Sequence, residues 1–504
     1  MSSQIRSAFA LGFIISAHSI PHKPIPNKDL LSWMFYEPKD DLNKKIYVDA
    51  LQPSRSVTGR EARALIRKLA AGFTAAGLQK GDCVCLHSFN DLYYPILFLG
   101  IIAAGGVIAG TNPSYTKFEL VHHFKTSRAK FLIVQQDLTA VVLPAASDSG
   151  ILDSNIWVLG GEGEDIPQGF KPWKLLEYGE RDWIRFDDEE TSNGTTATRL
   201  YSSGTRGLPK AAAISHYNLV AQHVIVFESY PVPYEVRNSA YLPMFHEPMV
   251  LGTHVAPLRD GCLCVVFKRF ELESFLSSIQ NHRISEVIFV PPVAMPIVKS
   301  LLTNKYSLKS IKMAICGAGP LDKDNQNALR KKLIDDSGND ITAYDTSGEL
   351  CIRGPTIIRE YFDNPVGTAE SFDQEGYFKT GDFVYCSSKG KKWYIIDRKK
   401  ELIKVRGFQV APAEIYGVLL THPSVLDVAV IGVPDPEEAN VEHARAYVVC
   451  KPGQLLEEEE VKAFCRERLA KFKELTGGVR LVDMIPRNAT GKALKRVLRD
   501  SAKA

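Results

Sequence analysis

The sequence carries no excess of charge, no metal-spaced cysteine pair and no apolar run of membrane-spanning length. Its 61 lysines and arginines nearly balance 58 aspartates and glutamates, for a formal charge of +3. That balance excludes the one-signed field of a nucleic-acid or polyanion binder. The nine cysteines are scattered; Cys83/Cys85 and Cys262/Cys264 are one residue apart, and no C-x-x-C occurs. The usual zinc spacings are therefore missing, and buried reduced thiols in a cytosol-like compartment are expected. No internal repeat is present, and the one biased patch, Glu457 to Glu460, reads as a solvated helix start. The Walker A spacing G-x-x-x-x-G-K-[ST] is missing as well.

What is present is globular material, 45% hydrophobic and 24% charged, over 504 residues. That length is enough for roughly two to four domains. At the N-terminus Arg6 precedes a short apolar run, Ala8 to Ile15, so residues 1–27 are expected to be a packed or disordered extension rather than an export signal. The end, Ser501-Ala502-Lys503-Ala504, lacks the terminal Leu of a peroxisomal S-K-L address. A cytoplasmic location is expected, with a peroxisomal one left open.

Between Tyr47 and Val384, short β-rich runs alternate with amphipathic stretches. Strands are expected at Cys83 to Ser88, Lys130 to Val134, Ile156 to Leu159, Cys262 to Phe267 and Glu286 to Val290, and helices at Arg60 to Ala76 and Leu272 to Gln280. This alternation predicts an α/β fold with buried sheets. A charged break at Ile396-Asp397-Arg398-Lys399-Lys400 marks a boundary, beyond which a smaller α+β unit of about a hundred residues follows. Its expected elements are a helix near Ala413 to Leu420, strands at Val425 to Val433 and Ala444 to Val449, a helix at Glu457 to Leu469, and a closing Val479-Arg480-Leu481-Val482.

The chemistry concentrates in Tyr201-Ser202-Ser203-Gly204-Thr205-Arg206-Gly207-Leu208-Pro209-Lys210, after a period-2 run from Thr196 to Tyr201. Placed between a strand and a helix that opens near Ser215, such a loop suits an anion. Backbone N–H groups and hydroxyls converge on phosphate oxygens, Gly204 and Gly207 permit close approach, and Lys210 adds a charged donor. Alone, the loop is also what an ordinary surface turn looks like.

Further segments in order make the difference. They are Asn112-Pro113-Ser114-Tyr115, Gly376-Tyr377-Phe378-Lys379-Thr380-Gly381-Asp382, the block Asp397 to Glu414, and Pro486-Arg487-Asn488-Ala489-Thr490-Gly491-Lys492. Together with the loop they resemble the adenylate-forming (AMP-dependent synthetase/ligase) superfamily, in particular acyl-CoA synthetases of the 4-coumarate–CoA ligase-like group. The resemblance runs from about Lys28 to Asp500. It implies a large N-terminal domain of layered α/β subdomains (28–398) and a small mobile C-terminal α+β domain (399–504). The implied reaction is ATP-dependent activation of an aryl, cinnamoyl-like or fatty carboxylate to acyl-AMP, then transfer to CoA with release of AMP. Its implied small molecules are the carboxylate, ATP, Mg²⁺ and CoA, with no tightly bound prosthetic group and no nucleic acid; the oligomeric state stays open.

By the same resemblance, Ser202, Ser203, Gly204, Thr205, Arg206, Gly207 and Lys210 hold ATP phosphates, with Gly317 and Ala318 lining the adenine and acyl pockets. Asp382 takes the ribose hydroxyls and Arg398 the ribose or phosphate. Lys400 is the hinge, Lys492 bridges carboxylate and α-phosphate, and Lys404 and Gln409 serve the second half-reaction near Gly407. Phe245 and His246 gate the acyl pocket, and Arg269 faces CoA phosphates.

Two departures stand out. Arg206 replaces a Thr usual in relatives, which removes a hydroxyl beside the outer phosphates. More seriously, only Asp322 to Ser347 separates the Gly317-Ala318-Gly319-Pro320-Leu321 turn from Gly348-Glu349-Leu350. Asn327 to Leu333 reads as the helix that follows the turn, and Ile334 to Asp340 as part of the later hairpin. The superfamily's Y-G-x-T-E adenine loop, with its Mg²⁺-linked Glu, thus has no counterpart, as if the domain were truncated near 332–335; no metal ligand is assigned. A catalytically impaired remnant or truncated isoform, and a ligase passing its acyl group to an acceptor other than CoA, stay open beside the CoA ligase.

Overall fold

The computed structural model describes residues 23–36, 41–160, 166–201, 209–229, 231–289, 297, 300–316, 330–334, 340–389, 393–399, 401–405, 408–438, 441–487 and 493–502. Contacts divide the chain into two compact units, residues 1–329 with 354–370 and residues 330–353 with 371–504.

The first unit begins with helix α1 (Leu30–Phe35), then β1 (Lys45–Asp49) and β2 (Ser56–Thr58). Thr58 and Glu61 form a reciprocal capping box that starts α2 (Gly59–Ala75). Ala62, Ile66, Leu69, Ala70 and Phe73 recur at helical spacing and are buried together. Next come β3 (Cys83–His87), α3 (Tyr94–Ala103), β4 (Val107–Gly110), α4 (Lys117–Ser127) and β5 (Ala129–Gln135). Every residue of α3 is buried, and Gly100 allows it close to α2: a Cβ there would lie 2.7 Å from Leu69.

Strands β6 (Ile156–Leu159), β7 (Lys171–Pro172), β8 (Thr196–Tyr201) and β9 (Ala211–Ser215) complete the main sheet, with an edge strand at Glu360–Tyr361. Its order is Glu360–Tyr361, β9, β8, β4, β3, β5, β6, β7. Strand β3 runs parallel to both neighbours and all five of its residues are buried, which is why it reads as an unbroken apolar run. Helix α5 (His216–His223) follows β9. Strands β10 (Arg237–Ala240) and β11 (Leu263–Val266) join β1 and β2 in a second sheet, ordered β10-β11-β1-β2. Helix α6 (Leu272–His282) precedes the parallel pair β12 (Glu286–Phe289) and β13 (Met313–Cys316).

In the second unit, β14 (Arg330–Ile334), β15 (Asp340–Ile341), β16 (Ser347–Arg353), β17 (Phe378–Cys386) and β18 (Trp393–Arg398) form an antiparallel sheet ordered β15-β14-β16-β17-β18. A hairpin of β19 (Ile403–Val405) and β20 (Phe408–Val410) comes next, then α7 (Pro412–Leu419). A three-stranded sheet, β21 (Val425–Pro434), β22 (Glu442–Cys450) and β23 (Val479–Leu481), packs with α7 and α8 (Glu458–Arg466). Ile403, Ile415, Val428, Val448 and Val461 share its core. Glu458, Glu459 and Glu460 fill the first turn of α8, where the helix dipole favours them.

Expected strands and helices recur within two residues of their bounds, except that the helix expected to reach Leu469 ends at Arg466, and two corrections are needed. The 201–210 loop does not run from a strand into a helix. It joins β8 to β9 as an antiparallel pair, with Tyr201 opposite Ala211, and the helix begins only after Ser215. The helix that follows is therefore separated from Lys210 by the whole of β9. The second concerns Asn327 to Leu333, read above as helical: residues 330–334 are strand β14, registered against β16 with Leu333 opposite Leu350. Sheet pairing overrides the helix preference of Arg-Lys-Lys-Leu. Residues 327–329 lie outside the described set.

Among the described residues, no helix is long and apolar enough to cross a membrane. Cys83, Cys85, Cys262, Cys264, Cys351, Cys386, Cys450 and Cys465 are free thiols.

Candidate functional site

In the first unit, Tyr201 closes β8 and Pro209-Lys210 lead into β9, so the sheet delivers both ends of the predicted phosphate loop to one place. Ser202, Ser203, Gly204, Thr205, Arg206 and Gly207 lie outside the described residues, as do Gly317 and Ala318. The ammonium of Lys210 lies 5.0 Å from the ring centroid of Tyr361. Gly367 leaves room for it: a Cβ at that glycine would sit 2.7 Å from Lys210 Nζ. The edge strand Glu360–Tyr361 thus sets where Lys210 points.

The predicted acyl wall is built around Phe245 and His246, whose rings are 4.2 Å apart. His246 Nε2 is buried with no hydrogen-bonding partner among the described residues. Burial pushes the imidazole down to about 4, so it is neutral at physiological pH. Sequence reasoning missed two supports of this wall. Asn90 accepts the Met244 N–H at 2.8 Å and donates to the carbonyls of Ala240 (3.1 Å) and Leu242 (2.9 Å), which fastens the segment carrying Phe245. Gly110, at the end of β4, meets Phe245 directly: a Cβ there would lie 2.9 Å from Phe245 Cβ and 2.7 Å from Tyr94 Oη. The only signal for either was a polar or small residue at the end of an apolar strand run.

Arg269, expected to face CoA phosphates, lays its guanidinium 4.0 Å from the Phe89 ring centroid. Neighbouring Lys268 pairs with Asp137 at 3.0 Å. Stacking on an aromatic face leaves the guanidinium edge able to donate to a phosphate.

The second unit sets four predicted residues opposite each other in two pairs. Asp382 stands opposite Arg398 across β17 and β18, next to Gly381 at φ 72°, a left-handed turn that favours glycine. The Thr380 hydroxyl donates to Leu350 O (2.8 Å) and accepts the Asp382 N–H (3.0 Å), holding that turn. Lys404 stands opposite Gln409 in the β19–β20 hairpin, and its own N–H donates to Glu442 at 3.0 Å. Lys400, Gly407 and Lys492 lie outside the described residues. The segment that carries Lys492 is tied at its base by an Arg487–Ala493 bridge and by two Arg487–Asp427 contacts of 2.7 and 2.8 Å.

His223, Glu228 and Asp260 offer ligand atoms within 4.8 Å of one another. Glu228 already faces Arg259 at 3.3 Å and Lys23 at 3.7 Å, so its charge is balanced without a metal ion.

The AMP-binding enzyme family matches residues 38–335, and the AMP-binding enzyme C-terminal domain matches residues 414–492. Phenylacetyl-CoA ligase epaB of Aspergillus niger is 45% identical, over 94% of this chain and 97% of that protein. Acyl-CoA ligase azaF of Aspergillus niger is also 45% identical, over 94% of this chain and 98% of that one. In fold, the chain is similar to ATP-bound MatB from Rhodopseudomonas palustris, with a TM-score of 0.81 at 23% identity, covering 94% of this chain and 99% of that chain. It is equally similar, at 0.81 and 21% identity over 95% and 98%, to the anthranilate CoA ligase AuaEII in complex with anthranoyl-AMP. The chain belongs to the AMP-binding enzyme family. Against epaB the alignment spans 525 positions, whereas 94% of 504 residues is about 474, so about 50 positions face a gap in this chain. The first family match ends at residue 335.

Proposed function

We propose that this chain is an acid–CoA ligase for an aryl or arylacetic carboxylate, working through an acyl-adenylate. Family membership and relatives at 45% identity carry the reaction class, which is ATP-dependent activation of a carboxylic acid followed by transfer to CoA. The observation that favours an aromatic acid is the Phe245–His246 wall. It offers a ring face and a buried, neutral imidazole nitrogen that lacks a partner among the described residues. An aromatic acid would stack on the first and meet the second. The name of epaB, a phenylacetyl-CoA ligase, points the same way.

In the first half-reaction the carboxylate attacks the α-phosphorus of ATP and pyrophosphate leaves. Residues 202–207 and Lys210 hold the phosphates, Asp382 and Arg398 the ribose, and Lys492 bridges the acid and the α-phosphate. Catalysis is positional and electrostatic. In the second, the domain beyond residue 398 turns about Lys400, withdraws Lys492 and presents Lys404 and Gln409. CoA thiol then attacks the acyl carbon and AMP leaves. Mg²⁺ arrives with the nucleotide. The carboxylate that would hold it in relatives has no counterpart in this sequence, so no step is assigned to a protein-bound metal. The free thiols suit a reducing, cytoplasmic setting.

The want of a Y-G-x-T-E loop between Leu321 and Gly348 favours a second reading of the chain as it stands, a binder of acid or CoA with little turnover. Acid-dependent exchange of labelled pyrophosphate into ATP, measured with phenylacetate, cinnamate and hexanoate, separates the two. Exchange with the aryl acids supports the ligase. Retained acid binding without exchange supports the second reading, and exchange with hexanoate alone overturns the aryl assignment.

A further inference from the structure

Helix α4 carries two adjacent histidines, His122 and His123, and they meet opposite ends of the 202–208 segment. His123 is fully buried, and its ring stacks on Tyr201 with centroids 3.5 Å apart and planes at 29°. Tyr115, of the Asn112-Pro113-Ser114-Tyr115 motif, also meets the ring, tilted at 54° with centroids 5.0 Å apart. The Tyr201 hydroxyl donates to His123 O at 2.8 Å and lies 3.1 Å from the Thr126 hydroxyl, so ring and phenol are both fixed on α4. Tyr201 is the last residue before the segment. On the far side, His122 Nε2 lies 2.9 Å from Pro209 O, the first carbonyl after it. A carbonyl oxygen only accepts, so Nε2 carries the proton and donates.

Neither contact is needed to close the sheet, because the β8–β9 ladder already pairs Tyr201 with Ala211. What they add is a second constraint on each end of the connection. Burial pushes the His123 imidazole from its ordinary 6.5 down to about 3, so the ring is neutral at physiological pH. The stack therefore does not switch with physiological pH.

We propose that His122 and His123 are positioning residues that seat both ends of the phosphate loop on helix α4, with Tyr115 packed against the His123 ring. This rests on reading 202–210 as that loop, and it gives the Asn112–Tyr115 motif a role. The His122 contact is a directional hydrogen bond, so glutamine, whose amide reaches about as far as Nε2, should replace it, whereas leucine should not. The His123 contact is a ring stack, so phenylalanine should replace it, whereas alanine should not.

The test is native-state trypsin cleavage of the full chain after Arg206 and Lys210, normalised to cleavage elsewhere in the same chain and read by mass spectrometry. Loss of one hydrogen bond should raise local opening, and with it these cuts, about fivefold in His122→Leu. His122→Gln should return to the wild-type rate. His123→Ala should cut faster and His123→Phe at the wild-type rate. The proposal is overturned if His122→Leu cuts like wild type, or if the Gln and Phe variants behave like Leu and Ala. Adding Mg-ATP to the wild type tests the underlying reading separately. Slower cutting after Arg206 supports the phosphate role, and no change sinks that role while the clamp result stands.

Discussion

Replacing Gly110 by Ala should perturb stability and acid binding together. The added Cβ would lie 2.7 Å from Tyr94 Oη, 2.9 Å from Phe245 Cβ and 3.2 Å from Phe245 Cα. Ordinary carbon contacts are about 3.5–4.0 Å, so two neighbours must each give way by roughly half an ångström or more. Tyr94 is fully buried and stacked at 5.5 Å on His254, which is itself buried and bonded to Met244 O, so it has nowhere to move. Phe245 is half-buried and yields instead. Overpacking of this kind costs about 1–3 kcal/mol. Four of the five tryptophans, Trp33, Trp157, Trp173 and Trp183, belong to the first unit, so their fluorescence during urea unfolding reads that cost. A displaced Phe245 should also raise KM for an aryl acid about tenfold while KM for ATP stays unchanged. An unchanged urea midpoint with an unchanged acid KM would refute the argument that β4 shapes the acyl wall.

Further outcomes are expected. Gly72→Ala places a Cβ 1.9 Å from the Leu176 carbonyl oxygen, a backbone atom, and should cost about 3 kcal/mol or more in urea unfolding of the first unit. Burial lowers His87 and His246 to about 4, and His216 and His254 to about 3, from an ordinary 6.5. The unfolded chain therefore binds more protons, and stability should fall as pH drops from about 6.5 towards 4. Asp29 opposes this trend: burial, outweighing its Ser32 hydrogen bonds, raises it from 3.8 to about 6, so its contribution is full at low pH and lost as pH rises through 6. Asp29→Asn, which keeps an N-cap acceptor for the Ser32 N–H, should accordingly steepen the acid loss in thermal melts between pH 4 and 6. Lys404→Ala should leave pyrophosphate exchange intact and slow thioester formation about a hundredfold, whereas Lys492→Ala should do the reverse.

Much of this was legible in the sequence because its signals were local. The apolar run of β3, the capping box of α2 and the glutamates opening α8 are all decided by residues next to one another. Motif resemblance singled out Lys404, Gln409, Asp382 and Arg398 one by one, and only strand register sets them opposite each other in pairs. What stayed illegible depends on distant partners. Arg330 to Ile334 has a helical composition and becomes a strand because Ser347–Arg353 lies beside it. Asn90 and Gly110 carry no motif; they matter because the fold brings the 240–245 segment against them. His122 and His123 carry no motif either; they matter because the fold brings Pro209 and Tyr201 against them.

The central claim is that this is an acid–CoA ligase chain from which one adenine-loop segment is missing. The most direct test measures acid-dependent pyrophosphate exchange with phenylacetate for two proteins. One is the chain as it stands, and the other is the same chain with the corresponding segment of a 45%-identical relative restored between Lys331 and Asp335. The account predicts robust exchange in the restored protein and exchange weaker by about a hundredfold in the chain as it stands. Equal exchange in the two, or none in a folded restored protein with any aryl acid, would contradict it.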